Sequence, residues 1–166
     1  MSPYISIPFL FLLSLLQSTA WTRLQIGAIW PDILLLVVMS WALLRGPGEA
    51  AVWAFAGGVG LDLLSSGPFG ASAAGLLVVV LLTTALQSGV FRGRALIPLL
   101  TAFLATAAFH AVYLLSMLLI GQRIDVLDAL TRVILPQAVY NAALSLFVHR
   151  IMAGIHRRIS PPLLEV

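Results

Sequence analysis

The sequence predicts an all-α integral membrane protein of about six transmembrane helices, and three observations carry that expectation. Of its 166 residues, 61% are hydrophobic and only 9% are charged, whereas a soluble domain carries about 25% charged residues. The mean hydropathy is +1.07, too high for a chain that must coat itself with polar groups. The apolar residues fall into runs near or a little below the 17 to 25 that cross a bilayer, separated by short turns rich in Gly, Pro and Arg. A single polytopic domain over residues 1–166 follows, since this length leaves no room for a soluble one.

The first span is expected from Pro3 to Ala20, closed by the interfacial pair Trp21 and Arg23. Ser18-Thr19-Ala20 resembles a cleavage site, but Met1 to Ser6 holds no Lys or Arg, so the span reads as retained. The second span begins near Trp30-Pro31-Asp32 and ends at Leu44. Arg45 to Glu49 forms a polar turn, and the third span runs from Ala50 to Leu64. Gly67-Pro68 stops it, because Gly suits the left-handed position after a helix and Pro cannot continue one. The fourth span starts after Gly70, with Ser72 as its N-cap, and ends near Gln87. Arg92-Gly93-Arg94 makes the next loop, Ala95 to Ile120 the fifth span, and Leu135 to about Met152 the sixth.

Between the last two, Val126, Leu127, Leu130, Val133 and Ile134 share one helical face, with Asp128 and Arg132 opposite. Residues 125–135 therefore read as an amphipathic helix on the membrane surface. Arginine sets the orientation, as there is no lysine. Arg45, Arg92, Arg94, Arg150, Arg157 and Arg158 lie on the side of the termini, against Arg23, Arg123 and Arg132 on the other. The bias places both termini in the cytoplasm.

Several chemistries are excluded or disfavoured. With no cysteine there are no disulfides, thiolate metal sites or cysteine nucleophiles. No basic run exceeds Arg157-Arg158, too little for nucleic acid. His110, His149 and His156 lack a metal-site spacing, and no Gly-x-Ser-x-Gly elbow accompanies Ser65 and Ser66. No catalytic residue, metal or cofactor is expected; the lipid bilayer is the expected counterpart of the arginines.

The polar residues inside the spans follow a rule. Ala50, Ala54, Gly58 and Asp62 recur every four residues, a small-residue stripe that lets another helix approach and turns Asp62 away from lipid. Gly75, Thr83 and Gln87 lie on one stripe of the fourth span, and Ala102, Thr106 and His110 on one stripe of the fifth. In the sixth, Gln137, Asn141, Ser145 and His149 are each four apart. These groups converge on the bundle interior. Either they hydrogen-bond between helices and hold the bundle, or they line a ligand or proton path with Asp62, His110 and Asn141 as its working residues. On the first reading, bulk at Gly58 does more harm than Asp62→Asn, which keeps the shape of the side chain.

The run from Pro31 to Ala73 resembles the rod shape-determining protein MreD family. The matching features are Pro31-Asp32, the polar turn Arg45 to Glu49, Gly58 with Asp62-Leu63, the small turn Ser65 to Pro68, and Phe69-Gly70. The resemblance implies a non-enzymatic part of the bacterial elongation machinery in the cytoplasmic membrane, supporting peptidoglycan synthesis and cell shape. It implies association with MreC and, through that complex, with RodA, a class B penicillin-binding transpeptidase and MreB, with a homo-oligomer left open. Pro31, Asp32, Ala54, Gly58, Asp62, Gly67, Pro68 and Gly70 become candidates for helix packing or partner docking; Thr106, His110, Gln137, Asn141, Ser145 and His149 form the polar interior. The family is also similar in fold to the S components of energy-coupling-factor transporters, which implies the alternative of a substrate-binding subunit of a vitamin transporter.

Overall fold

The computed structural model describes residues 3–20, 30–87 and 97–159. Helix α1 is Pro3–Ala20, α2 Ile33–Arg45, α3 Pro47–Leu64, α4 Ala71–Gln87 and α5 Ile97–Leu119. A short helix, α6 (Val126–Ala129), passes through a π-helical turn (Leu130–Ile134) into α7 (Leu135–Ile159). Among the described residues there is no strand. The expected Trp21–Arg23 boundary and the Arg92–Arg94 loop lie outside the described residues.

Helix limits differ from the sequence expectation in ways the turns explain. α3 starts at Pro47, about a turn before Ala50, because Pro at the first helical position needs no N–H partner. Gly46 makes that start compatible with the end of α2: at φ +83° its N–H still bonds to Ala42 O at 3.0 Å. α7 continues to Ile159, beyond Met152. The segment before it is helical as expected, with the Asp128–Arg132 ion pair at 2.6 Å, and it runs into α7 without a break. Asp125 caps its start by accepting the N–H groups of Leu127 and Asp128.

α2 is the central element. It packs against α1, α3, α4, α5 and α7, while α1, α3, α4, α5 and α7 contact one another in that order around it. Every residue from Leu34 to Ala42 is buried, as a helix that is apolar all round requires. Trp41 of α2 stacks on Trp53 of α3, ring centroids 4.4 Å apart, and locks the hairpin. The outer surface shows the reverse: Leu63, Phe69, Leu81, Leu115 and Phe147 are each more than half exposed. An apolar interior inside an apolar exterior belongs in lipid, not in water. By length and composition α5 and the continuous Val126–Arg158 segment are long enough to cross a membrane, whereas α2 and α4 are shorter apolar helices.

The short centre has a consequence. Thirteen residues of α2 rise only about 20 Å, against roughly 30 Å for a hydrocarbon core. The longer helices around α2 overreach its N-terminal end, and a cavity of about 680 Å³ lies there.

Candidate functional site

The N-terminus of a helix carries N–H groups with no partner in the helix itself. At the surface water would take them, but Asp32 is only 5% exposed and Leu34 wholly buried. Side chains of two other helices serve instead. Asn141 Oδ1 on α7 accepts the N–H of Asp32 at 3.1 Å, and Gln17 Oε1 on α1 accepts the N–H of Leu34 at 2.8 Å. The same Gln17 donates through Nε2 to Asp32 Oδ1 at 2.8 Å, so its carboxamide is used at both ends. The Asp32 carboxylate also sits at the positive end of the helix dipole.

The network continues into α5. Asn141 Nδ2 donates to Thr106 Oγ1 at 3.2 Å, and that hydroxyl donates to Ala102 O at 2.8 Å. One turn further, His110 Nδ1 lies 2.9 Å from Thr106 O, and His110 is within electrostatic reach of Asp32. Gln17, Asp32, Thr106 and Asn141 thus tie together α1, α2, α5 and α7. Each amide or hydroxyl bond between helices in lipid contributes about 0.6 to 2 kcal/mol.

A second buried helix start is served in the same manner. Asp62 Oδ2 accepts the N–H groups of Gly70 at 2.9 Å and Ala73 at 3.3 Å, and Oδ1 accepts that of Ser72 at 3.0 Å. Asp62 of α3 therefore caps α4, and this overturns Ser72 as the N-cap: Ser72 is already inside the helix and its N–H is among the groups being capped. Gly70 reaches the carboxylate at φ +92°, a conformation that favours glycine. Three donors use both carboxylate oxygens, and an amide NH₂ at this position would face an N–H.

The small-residue stripe finds its partner within the chain. A Cβ on Gly58 would fall on the Cα of Ala73 and 2.7 Å from its nitrogen, so α3 and α4 meet backbone to backbone there. Ala50 and Ala54 are wholly buried on the same helix. Gly58, Ala54 and Asp62 are thus packing residues turned inward. In the turn that follows, Pro68 O accepts the N–H of Ala71 at 3.2 Å, and Gly67 lies against Tyr113 Oη, where a Cβ would have no room.

The remaining interior candidates do not join one site. Ser145 turns back on its own helix, donating to Ala142 O at 2.6 Å. His149 lies two turns beyond Asn141 toward the other end, its buried Nδ1 without a hydrogen-bond partner among the described residues. Gln137 is 1% exposed and lines the cavity, and neither atom of its carboxamide has a hydrogen-bond partner among the described residues. Pro31 stands beside the Asp32 network without a polar bond of its own to give, having no N–H. Two residues of α1 escaped the sequence reading. Gln17 completes the α2 start, and the hydroxyl of Ser14, bonded to Leu10 O, lies 3.2 Å from Gly57 O of α3. Their signal was present: they are polar residues three apart in an otherwise apolar first span, the spacing of one helical face.

Among the described residues no group of three or more His, Cys, Asp or Glu could hold a metal ion. The polar groups that come together are spent on helix ends, which is architecture more than chemistry. The family model of the rod shape-determining protein MreD matches residues 1–159 of the chain. No curated protein and no solved structure matches it.

Proposed function

Because the chain belongs to the MreD family, whose role is rod shape determination, we propose that it is a non-enzymatic membrane scaffold of the elongation machinery. On this reading it binds MreC and, through that complex, works with RodA, a class B penicillin-binding transpeptidase and MreB in peptidoglycan synthesis. It crosses the cytoplasmic membrane six times with both termini in the cytoplasm, and the segment 126–134 lays Val126, Leu127 and Leu130, all exposed, toward the lipid surface.

The observation that carries the reading is the family match over nearly the whole chain, together with the use of Asp32, Asp62, Thr106 and Asn141 as ties between helices. A scaffold needs a rigid apolar body presenting fixed faces, and buried hydrogen bonds at helix ends supply rigidity. The competing reading, the substrate-binding subunit of an energy-coupling-factor-type transporter, would need an ATPase-linked partner. Affinity purification of the tagged protein from its native membrane distinguishes them. Co-purification of MreC is expected; an ATP-hydrolysing transport module in its place would sink the scaffold reading.

A further inference from the structure

The cavity above the start of α2 has a chemistry that the helix ties do not use. Its volume of about 680 Å³ lies within the roughly 300–1,000 Å³ of small-molecule pockets. Leu61, Phe109, Tyr113, Met117 and Ile134 make most of its wall apolar. Among the described residues no Arg lines it, whereas Asp32 stands in the wall and Asp62 lies within electrostatic reach of Tyr113. An anion placed there would meet these carboxylates and no cation of the described residues.

His110 and Gln137, both in the wall, keep polar atoms that the helix ties do not use. His110 Nδ1 faces Thr106 O, and a carbonyl can only accept, so Nδ1 carries the hydrogen. In that tautomer Nε2 is left as an acceptor. Gln137 lies in the same wall, its carboxamide covered and without a partner among the described residues. A buried amide without a partner is costly, and rotation about its side-chain torsions can turn it toward an occupant that offers one.

We infer that this cavity binds a neutral molecule with an apolar body and a hydrogen-bond-donating head, the head donating to His110 Nε2 and recruiting Gln137. That chemistry could come from the bilayer, as a single-chain neutral lipid, or from water, as a small aromatic alcohol. The inference does not depend on MreC and is tested on the purified chain alone.

Two matched probe pairs in detergent micelles, read by thermal shift and tryptophan fluorescence, separate the sources. Each pair shares its apolar body and sets a neutral hydroxyl head against an anionic one: 1-oleoylglycerol against oleoyl lysophosphatidate, and 2-naphthol against 2-naphthoate. At least one neutral member should bind saturably and raise Tm, and its anionic partner should bind at least about tenfold more weakly. Whichever neutral probe binds identifies the source. His110→Phe, which keeps a ring and removes the acceptor, should weaken that binding by about tenfold or more. Should His110→Phe not fold, Gln137→Leu takes its place, since its carboxamide holds nothing within the described chain; it should keep or raise Tm and lower affinity several-fold. Absence of saturable binding by both neutral probes, equal binding of the anions, or unchanged affinity in the folded variant would overturn the inference.

Discussion

The side chain of Asn141 accepts the backbone N–H of Asp32 at 3.1 Å, across 109 residues of chain. This bond closes the buried start of the central helix, and the same carboxamide reaches Thr106 on α5. Asn141→Leu removes both and strands a buried N–H. The expected loss is about 1–3 kcal/mol of stability, measured as a lower unfolding midpoint in detergent. A variant as stable as the parent would show that the α2 start does not depend on α7.

Asp62→Asn should be destabilising and not neutral. The carboxylate serves three N–H groups of the α4 start, and losing such a cap costs about 1–2 kcal/mol. Loss of the favourable charge at a helix N-terminus adds about 0.3–1 kcal/mol. Thermal unfolding of Asp62→Asn beside the parent checks this, and an unshifted midpoint refutes the capping role.

Gly58→Leu should be worse than Asp62→Asn. The added side chain meets the backbone of Ala73, which cannot move aside without parting α3 from α4. Overpacking of this kind costs about 1–3 kcal/mol or more, so reduced yield of folded protein and failure to rescue cell shape are expected. Gly58→Leu with normal stability beside a crippled Asp62→Asn would mean that charge, not close approach, governs this hairpin.

At Gly67 the obstruction is the far end of a side chain, Tyr113 Oη. Gly67→Ala should therefore cost less than Gly58→Leu, because the tyrosine can shift, and Tyr113→Phe, which removes the clashing oxygen, should lessen that cost. A double-mutant cycle on unfolding midpoints measures the coupling, expected at about 0.5–3 kcal/mol for residues in contact. Strict additivity would separate the two positions.

The arginine bias predicts that reporters fused after Arg94 and after Val166 lie in the cytoplasm, while one inserted after Gly67 lies outside. A C-terminal reporter on the outer side would overturn the six-span topology.

The sequence by itself determined the helical class, the hairpin between α3 and α4, and the faces on which polar residues lie. Those features follow from composition, from the period of the helix and from local turn chemistry, all of which act over a few residues. Thus Gly58 and Asp62 could be assigned to an inward face from spacing alone, and Asn141 to the interior stripe of α7. What that face meets is another matter. Only the tertiary structure decided that α2 is central, that Asp62 caps α4 in place of Ser72, and that Gln17 and Asn141 share the start of α2. These roles depend on helix lengths and crossings: a 13-residue helix ends inside the bundle, and its buried N–H groups must bond to whatever side chains the neighbouring helices bring there. Periodicity gives a residue its face; packing gives that face its partner.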